Sequence, residues 1–418
     1  MPSKQHNKSD PPRRSRWRWA APGLALAAVV AGIAWLVGAE RSNQQAAMVL
    51  ANSAASAPAP GLARAAVKTT AAPASTRQQL QENLQLTEHT YCNYRESTRY
   101  PHSSRPIAEQ PDQVYPNAPI NEANAMRLDG GKADPKVLIQ SSQTRVYLAA
   151  GEAVSFSIRA VDTAGNVLPL VITGATAQGM NFGTQRALAP LAVPFVDDGT
   201  GSDPVAGDSA FAATLTPSQS SLAGFAGTIR TQVKFSVGGQ NGSINFDVIN
   251  SPEQPAVWAG TPREAVENGS LVFYLKAEVR QPGRYVVSGR VDDARGKPFA
   301  LASFNDVLKA GPNEIRLSVF GKLLRDQQPA LPLTLRDVDG YLLKENTDPD
   351  RALMPRLEGK VLTAKPHPLN GFADSEWSSE ERERHLAEFG KDFKAARSAL
   401  GSFDPATPLP QPACPLPP

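Results

Sequence analysis

Over much of its length this chain alternates apolar and polar residues with a period of two. Only strands with one buried and one wet face satisfy that pattern. Val154, Phe156, Ile158 and Ala160 fall on one side, against Ser155, Ser157 and Arg159 on the other. Val233, Phe235 and Val237 oppose Gln232, Lys234 and Ser236, and after the turn Gly238-Gly239-Gln240-Asn241-Gly242 the pattern resumes with Ile244, Phe246 and Val248. Leu271, Phe273, Leu275, Ala277 and Val279 form a further run, which Gln281-Pro282-Gly283 is expected to join as a hairpin turn to Tyr285, Val287, Gly289 and Val291. Thirty-seven prolines and thirty-one glycines among 418 residues supply turns and exclude a helical body.

These runs predict a mainly β protein with two sandwiches of immunoglobulin-like or fibronectin-like type, residues 136–252 and 256–345. The boundary falls at Ser251-Pro252-Glu253-Gln254-Pro255. Beyond it, 346–372 reads as irregular. Ser378 with Glu381 three residues on has the form of a capping box opening a short C-terminal helix. Leu386, Phe389, Phe393 and Leu400 give that helix an apolar stripe, expected to pack on the second sandwich. The tail 401–418 is proline-rich.

The amino-terminal end is of another kind. Residues 1–19 carry six Lys/Arg (Lys4, Lys8, Arg13, Arg14, Arg16, Arg18) and one Asp, and the uncharged apolar run 19–39 follows. That run is long enough to cross a bilayer as a helix. Its basic flank predicts a cytoplasmic N-terminus and a periplasmic body in a single-pass bacterial inner-membrane protein. The alternative is a secretory signal cleaved near Ala39, after Val37-Gly38, leaving a secreted or periplasmic protein. The basic flank accounts for more than the whole net charge of +3, so the other 399 residues total about −2. A nucleic-acid partner is not expected of such a body.

Residues 40–87, rich in Ala, Pro and Ser, read as a flexible linker, with a short helix over Gln78 to Leu86. Residues 88–135 interleave Tyr91, Tyr94 and Tyr100 with Arg95, Arg99 and Arg105 among several prolines, and read as irregular. Two readings stand for that segment: a partner surface, since Tyr and Arg are enriched at hot spots, or an extended wrap with half-buried tyrosines. Cys92 and Cys414 are the only cysteines and lie near opposite ends of the exported region, where an oxidising compartment lets them pair as a disulfide.

The most distinctive motif runs from Val196 to Phe211: Asp197-Asp198-Gly199-Thr200-Gly201-Ser202-Asp203, then Ala206-Gly207-Asp208. It resembles the DDGxxxDxxAGDxxF loop of bacterial exported β-sandwich proteins of the choice-of-anchor X type. A looser similarity covers Gly283 to Leu343. The resemblance implies an exported β fold and no particular reaction. Four carboxylates so close repel unless they splay or share a cation. Asp197, Asp198, Asp203 and Asp208 are therefore candidate calcium ligands, or else Asx caps of a turn.

Catalysis has little support. Gly207-Asp208-Ser209 has an esterase-like form without the Asp-x-x-His that would accompany it, and no HExxH motif or nucleophile elbow occurs. The expectation is a membrane-anchored, non-catalytic periplasmic binding or scaffold protein of the cell envelope. Its rivals are an accessory subunit of an envelope assembly such as a pilus or secretion machine, and a carboxylate-dependent envelope hydrolase.

Overall fold

The computed structural model describes residues 76–180 and 189–415. The apolar run 19–39 and the linker up to residue 75 lie outside the described residues. Among those described, no helix is long and apolar enough to cross a membrane. The body is mainly β, with three α-helices: α1 (Thr76–Ser97), α2 (Gly321–Gln327) and α3 (Glu380–Phe403).

Four sheets pair into two layered bodies, each with its own core. In the first body the strands Ile120–Arg127, Ala133–Gln143 and Val154–Asp162 run antiparallel, with Phe211–Leu215 beyond them. They face a sheet of Leu170–Gly179, Gly227–Val237 and Gln240–Asn250. Phe156, Ile158, Val233, Phe235 and Val248 fill the space between, so the alternating residues point where the period of two places them. In the second body Ala256–Glu267, Ser270–Val279 and Gly311–Val319 form one sheet. Pro298–Leu308, Gly283–Asp292 and Thr334–Leu343 form the centre of the other, and Phe273, Tyr285, Val287, Leu317 and Leu335 lie in its core.

The structure corrects several sequence expectations. The turn Gln281-Pro282-Gly283 does not close a hairpin; it passes the chain from one sheet of the second body to the other. There the buried Tyr285 hydroxyl donates to Gln281 O at 2.7 Å and lies 3.0 Å from Pro255 O, and burial pushes its pKa up to about 12. The stretch 346–372 is not irregular: Arg351–Leu353 and Leu357–Thr363 extend the sheet at Thr334–Leu343. The first body starts at Ile120 rather than 136.

Residues 88–135 also differ from the expectation. The helix near Gln78 runs on for 22 residues to Ser97, because no Gly or Pro interrupts it and Leu80, Leu84 and Tyr91 share one face. Strand Ser104–Pro106 then joins the second body beside Pro298–Leu308, and the Ser104 hydroxyl accepts from Phe320 N at 2.8 Å. The chain thus visits the second body, builds the whole first body, and returns. The first body is an insertion within the second.

Helix α3 is capped by Ser379, one residue after the expected Ser378: its hydroxyl accepts from Arg382 N at 3.1 Å. Glu380, Glu381 and Glu383 in the first turn complement the helix dipole. The apolar stripe of α3 does not pack on the second sandwich. Phe393, Ala396 and Leu400 pack instead on Leu84 and Tyr91 of α1, so the two ends of the described chain cover each other.

Candidate functional site

The acidic loop is a web of backbone hydrogen bonds. Asp197 accepts from Gly207 N, Asp208 N and Ser209 N at 2.7, 3.2 and 2.9 Å, which ties the far end of the loop to its start. Asp203, 2% exposed, accepts from Gly199 N at 2.7 Å and Val205 N at 3.2 Å. Asp198 and Asp208 each accept from a backbone N–H two residues on, as Asx turns do. Gly199 is needed: its φ is +75°, and an added Cβ would lie 3.0 Å from Ala206 N.

Asp197, Asp203 and Asp208 bring carboxylate oxygens within 4.8 Å of one another, and these three could hold a cation. Asp198 stands apart from them, bonded to Thr200. Ser209, the serine of the esterase-like triplet, sits at φ +66° with its N–H on Asp197. The described histidines belong to other elements: His367 pairs with Glu264 at 3.1 Å, and His385 packs on Tyr94 and Phe389.

The Tyr/Arg residues named as a candidate partner surface serve mainly to hold the body together. Tyr91 is 3% and Tyr100 8% exposed. Tyr100 donates to Asp326 Oδ2 at 2.9 Å, and Arg99 pairs with Glu96 and Asp326. Tyr94 stacks edge-on against Phe389. Arg105 pairs with Glu109 at 2.7 Å and donates to Ser97 O and Tyr100 O. Arg95 and Arg382 grip Glu376 at 3.0 and 2.6 Å. Burial alone would raise the Glu376 pKa, but the bonds from Arg382 and Arg95 outweigh it and hold that carboxyl below its ordinary value. None of these residues forms an irregular exposed loop.

Cys92 and Cys414 form the expected disulfide, with Cα atoms 5.7 Å apart. Their meeting does not depend on mobile segments: Cys92 lies within α1, and the tail is laid against the helix pair by Leu409 and by Arg397 donating to Pro410 O.

The sequence showed nothing of the joint between the two bodies. Arg356 of the second pairs with Glu152 and donates to Tyr147 O of the first, and also pairs with Asp339 of its own sheet at 3.1 Å. Arg145 reaches Glu358 at 2.5 Å, and Leu353 N donates to the Ser251 hydroxyl at 3.0 Å. A second charged cluster is buried in the second body: Arg290 pairs with Asp292 at 2.9 Å and Asp337 at 3.3 Å and donates to Val114 O, fixing the incoming chain. Burial raises the Asp292 pKa against the lowering effect of Arg290 and Arg336.

Nor did the sequence reveal the cleft of about 660 Å³ in the first body. It opens between strand Ile120–Arg127 of one sheet and Gln240–Asn250 of the other, lined by Glu122, Asn124, Ser141, Ser243 and Asn245 over Ile139 and Phe246. Its ends are closed by Asp129 N donating to Asn241 O at 3.2 Å and by Gln143 Nε2 donating to Asp247 O at 2.9 Å. Ile249 N and Ser251 N donate outward to Val146 O and Leu148 O, so the odd-numbered residues of this strand present their backbone groups to its edge. An isolated antiparallel bridge joins Gly242 to Leu128 alongside Ser243, so between the closures Asn245 is the residue whose outward backbone groups have no strand beside them among the described residues.

No family model matches the chain, and neither does any curated protein. Solved structures match in part. One is a DUF4785 family protein from Legionella pneumophila, 13% identical, over 54% of this chain and 57% of that one, with a TM-score of 0.36. Another is the adhesin InvE of Yersinia pseudotuberculosis, 13% identical over 57% and 63%, TM-score 0.16. Squid arrestin is 10% identical over 60% of this chain and 99% of its own, TM-score 0.17. The chain spans less than two thirds of the first two. Likeness at this level carries no argument about activity, and none of these names a choice-of-anchor protein.

Proposed function

We propose that this is a non-catalytic binding module of the bacterial cell envelope, held to the inner membrane by residues 19–39, with its two immunoglobulin-like sandwiches in the periplasm. The observation that carries the binding role is the unpaired strand edge at Asn245 beside a ready cleft. A free edge offers N–H and C=O groups in a row, and an extended polypeptide satisfies them by adding a strand. The side chains around it are mostly uncharged amides and hydroxyls, which suit a peptide backbone better than a charged metabolite. The location rests on the basic flank and the apolar run. The immunoglobulin-like assignment draws support from Tyr285, whose hydroxyl turns back to the chain a few residues upstream as at the tyrosine corner of such folds.

A photo-crosslinking residue at Asn124, in the wall of the cleft, activated in intact cells in the full chain, tests the reading. A single discrete polypeptide adduct is expected. Asn245→Pro, which removes the free edge N–H, should abolish it while the melting temperature holds. No adduct, or an adduct indifferent to Asn245→Pro, refutes edge binding. A stoichiometric membrane complex surviving mild detergent would identify that polypeptide as a neighbour in an envelope assembly.

A further inference from the structure

The second body has an opening of different chemistry. Edge strands Ala256–Glu267 and Leu357–Thr363 belong to opposite sheets and are clipped together at two places. Trp258 Nε1 donates to Pro355 O at 2.7 Å at one end. At the other, Glu264 accepts from Lys365 N at 3.3 Å and meets His367 Nε2 at 3.1 Å. Between the clips the first strand bulges: Ala259 pairs with Lys276 and Arg263 with Tyr274, so Gly260, Thr261 and Pro262 stand out of register opposite Leu275 alone. Gly260, at φ +64°, permits that departure. The result is a cleft of about 410 Å³ that reaches the core of the second body. Its walls are Trp258, Pro262, Leu357 and Val361, and the core residue Leu275, 1% exposed, lies at its floor.

The charges at the rim are not balanced. Arg356 and Glu358 line the same cleft, but both are engaged by the first body through Glu152 and Arg145. Lys276 and Lys360 remain, both exposed; the cross-strand neighbour of Lys276 is Glu314, which pairs with Arg263, and neither lysine forms an ion pair among the described residues. An apolar cleft with two uncompensated ammonium groups at its mouth favours a ligand with an apolar chain and an anionic head. A peptide strand suits it poorly, because the bulge breaks the row of edge groups that strand addition needs.

We propose that the cleft between Trp258 and Val361 binds a single-chain amphiphile with a carboxylate head, of the long-chain fatty acid class. The chain enters against Trp258, Leu275, Leu357 and Val361, and the head stays at the mouth, whose free charges are Lys276 and Lys360. This proposal is independent of edge binding at Asn245, which lies in the other body.

The probe is a diazirine-bearing hexadecanoic acid, compared with the matching hexadecanol, added to the full chain in zwitterionic bilayers. Adducts are mapped by mass spectrometry. With the acid they should concentrate on residues 256–262 and 357–361, and the alcohol should label these about tenfold less, the effect of roughly two charge-assisted contacts. Lys276→Glu with Lys360→Glu should reduce the acid to the alcohol's level. Ala259→Trp, at the exposed lip of the cleft, should block the acid without altering the melting temperature. Equal labelling by acid and alcohol would show apolar adsorption only. Labelling unmoved by either variant, or no enrichment at these residues, also overturns the proposal.

Discussion

Removing the disulfide should loosen the protein from its ends inward, and the size of the effect can be worked from the structure. Cys92 and Cys414 are 322 residues apart, so the bridge encloses nearly the whole described body in one loop. For a loop of that length the chain-entropy relation gives an upper limit of about 5.8 kcal/mol. Measured bridges typically deliver about 2–4 kcal/mol of such limits, because the reduced unfolded chain keeps some structure. The folded side should change little at first. The α1–α3 contact retains Leu84 and Tyr91 against Phe393, Ala396 and Leu400, and the grip of Arg95 and Arg382 on Glu376 remains. The tail beyond Phe403 depends more on the bridge, since its other ties are Leu409, Arg397 to Pro410 O, Arg77 to Asp404 and Thr407, and Ala413 N donating to Glu88 beside the bridge itself.

Cys92→Ser with Cys414→Ser should therefore do two separable things. The urea midpoint should fall by about 1 M, taking about 3 kcal/mol and a slope near 3 kcal/mol per M for a body of this size. Amide exchange should quicken in residues 404–415 before it quickens in α1. Reduction of the native protein should reproduce both effects. An unchanged midpoint with unchanged exchange in the tail would refute the reasoning. So would exchange that rises first in the sandwiches, because that would mean the bridge strains the fold rather than closing its ends.

Three further outcomes follow from other contacts. Arg356→Ala leaves Glu152 and Asp339 without their shared cation, at a cost of about 2–4 kcal/mol; calorimetry should show the two bodies melting apart where the native chain melts in one transition, and one unsplit transition in the variant would refute the joint. Asp203→Ala strips two N–H groups of their acceptor and should cost about 1–3 kcal/mol, with the melting temperature of the native protein indifferent to millimolar calcium; a rise reversed by chelator would instead make Asp197, Asp203 and Asp208 a metal site. Glu376 has its folded pKa depressed below the ordinary 4.5, so its contribution is full above that value and is lost as the pH falls through the lower folded one. Acid should therefore release α3 from α1 before the sandwiches unfold, Glu376→Gln should remove that pH step, and a step that survives the substitution would assign it elsewhere.

How much of this was legible in the sequence follows from which interactions are local. Phe156, Ile158, Phe235 and Val248 announce their burial by period alone, because a strand's two faces are fixed by its own backbone. The partner of a strand is not so fixed. Gln281-Pro282-Gly283 has hairpin residues, yet Val279 and Gly283 belong to different sheets, since a turn of that length serves equally to cross between layers. Helix α1 was underestimated because its buried stripe is thin and its other faces are polar; what holds it is α3, nearly three hundred residues later. Tyr91, Tyr94, Arg95 and Arg99 looked like a surface because Tyr and Arg serve both at interfaces and in buried polar joints, and composition cannot tell the two apart. The clefts left no signal at all. They arise where pairing stops, at the Gly260–Pro262 bulge and beside Asn245, and an edge is defined by a neighbour that the chain does not supply. The same logic explains why the candidate sites lie there: the paired centre of each sheet has already used its backbone groups, and only an interruption leaves any for another molecule.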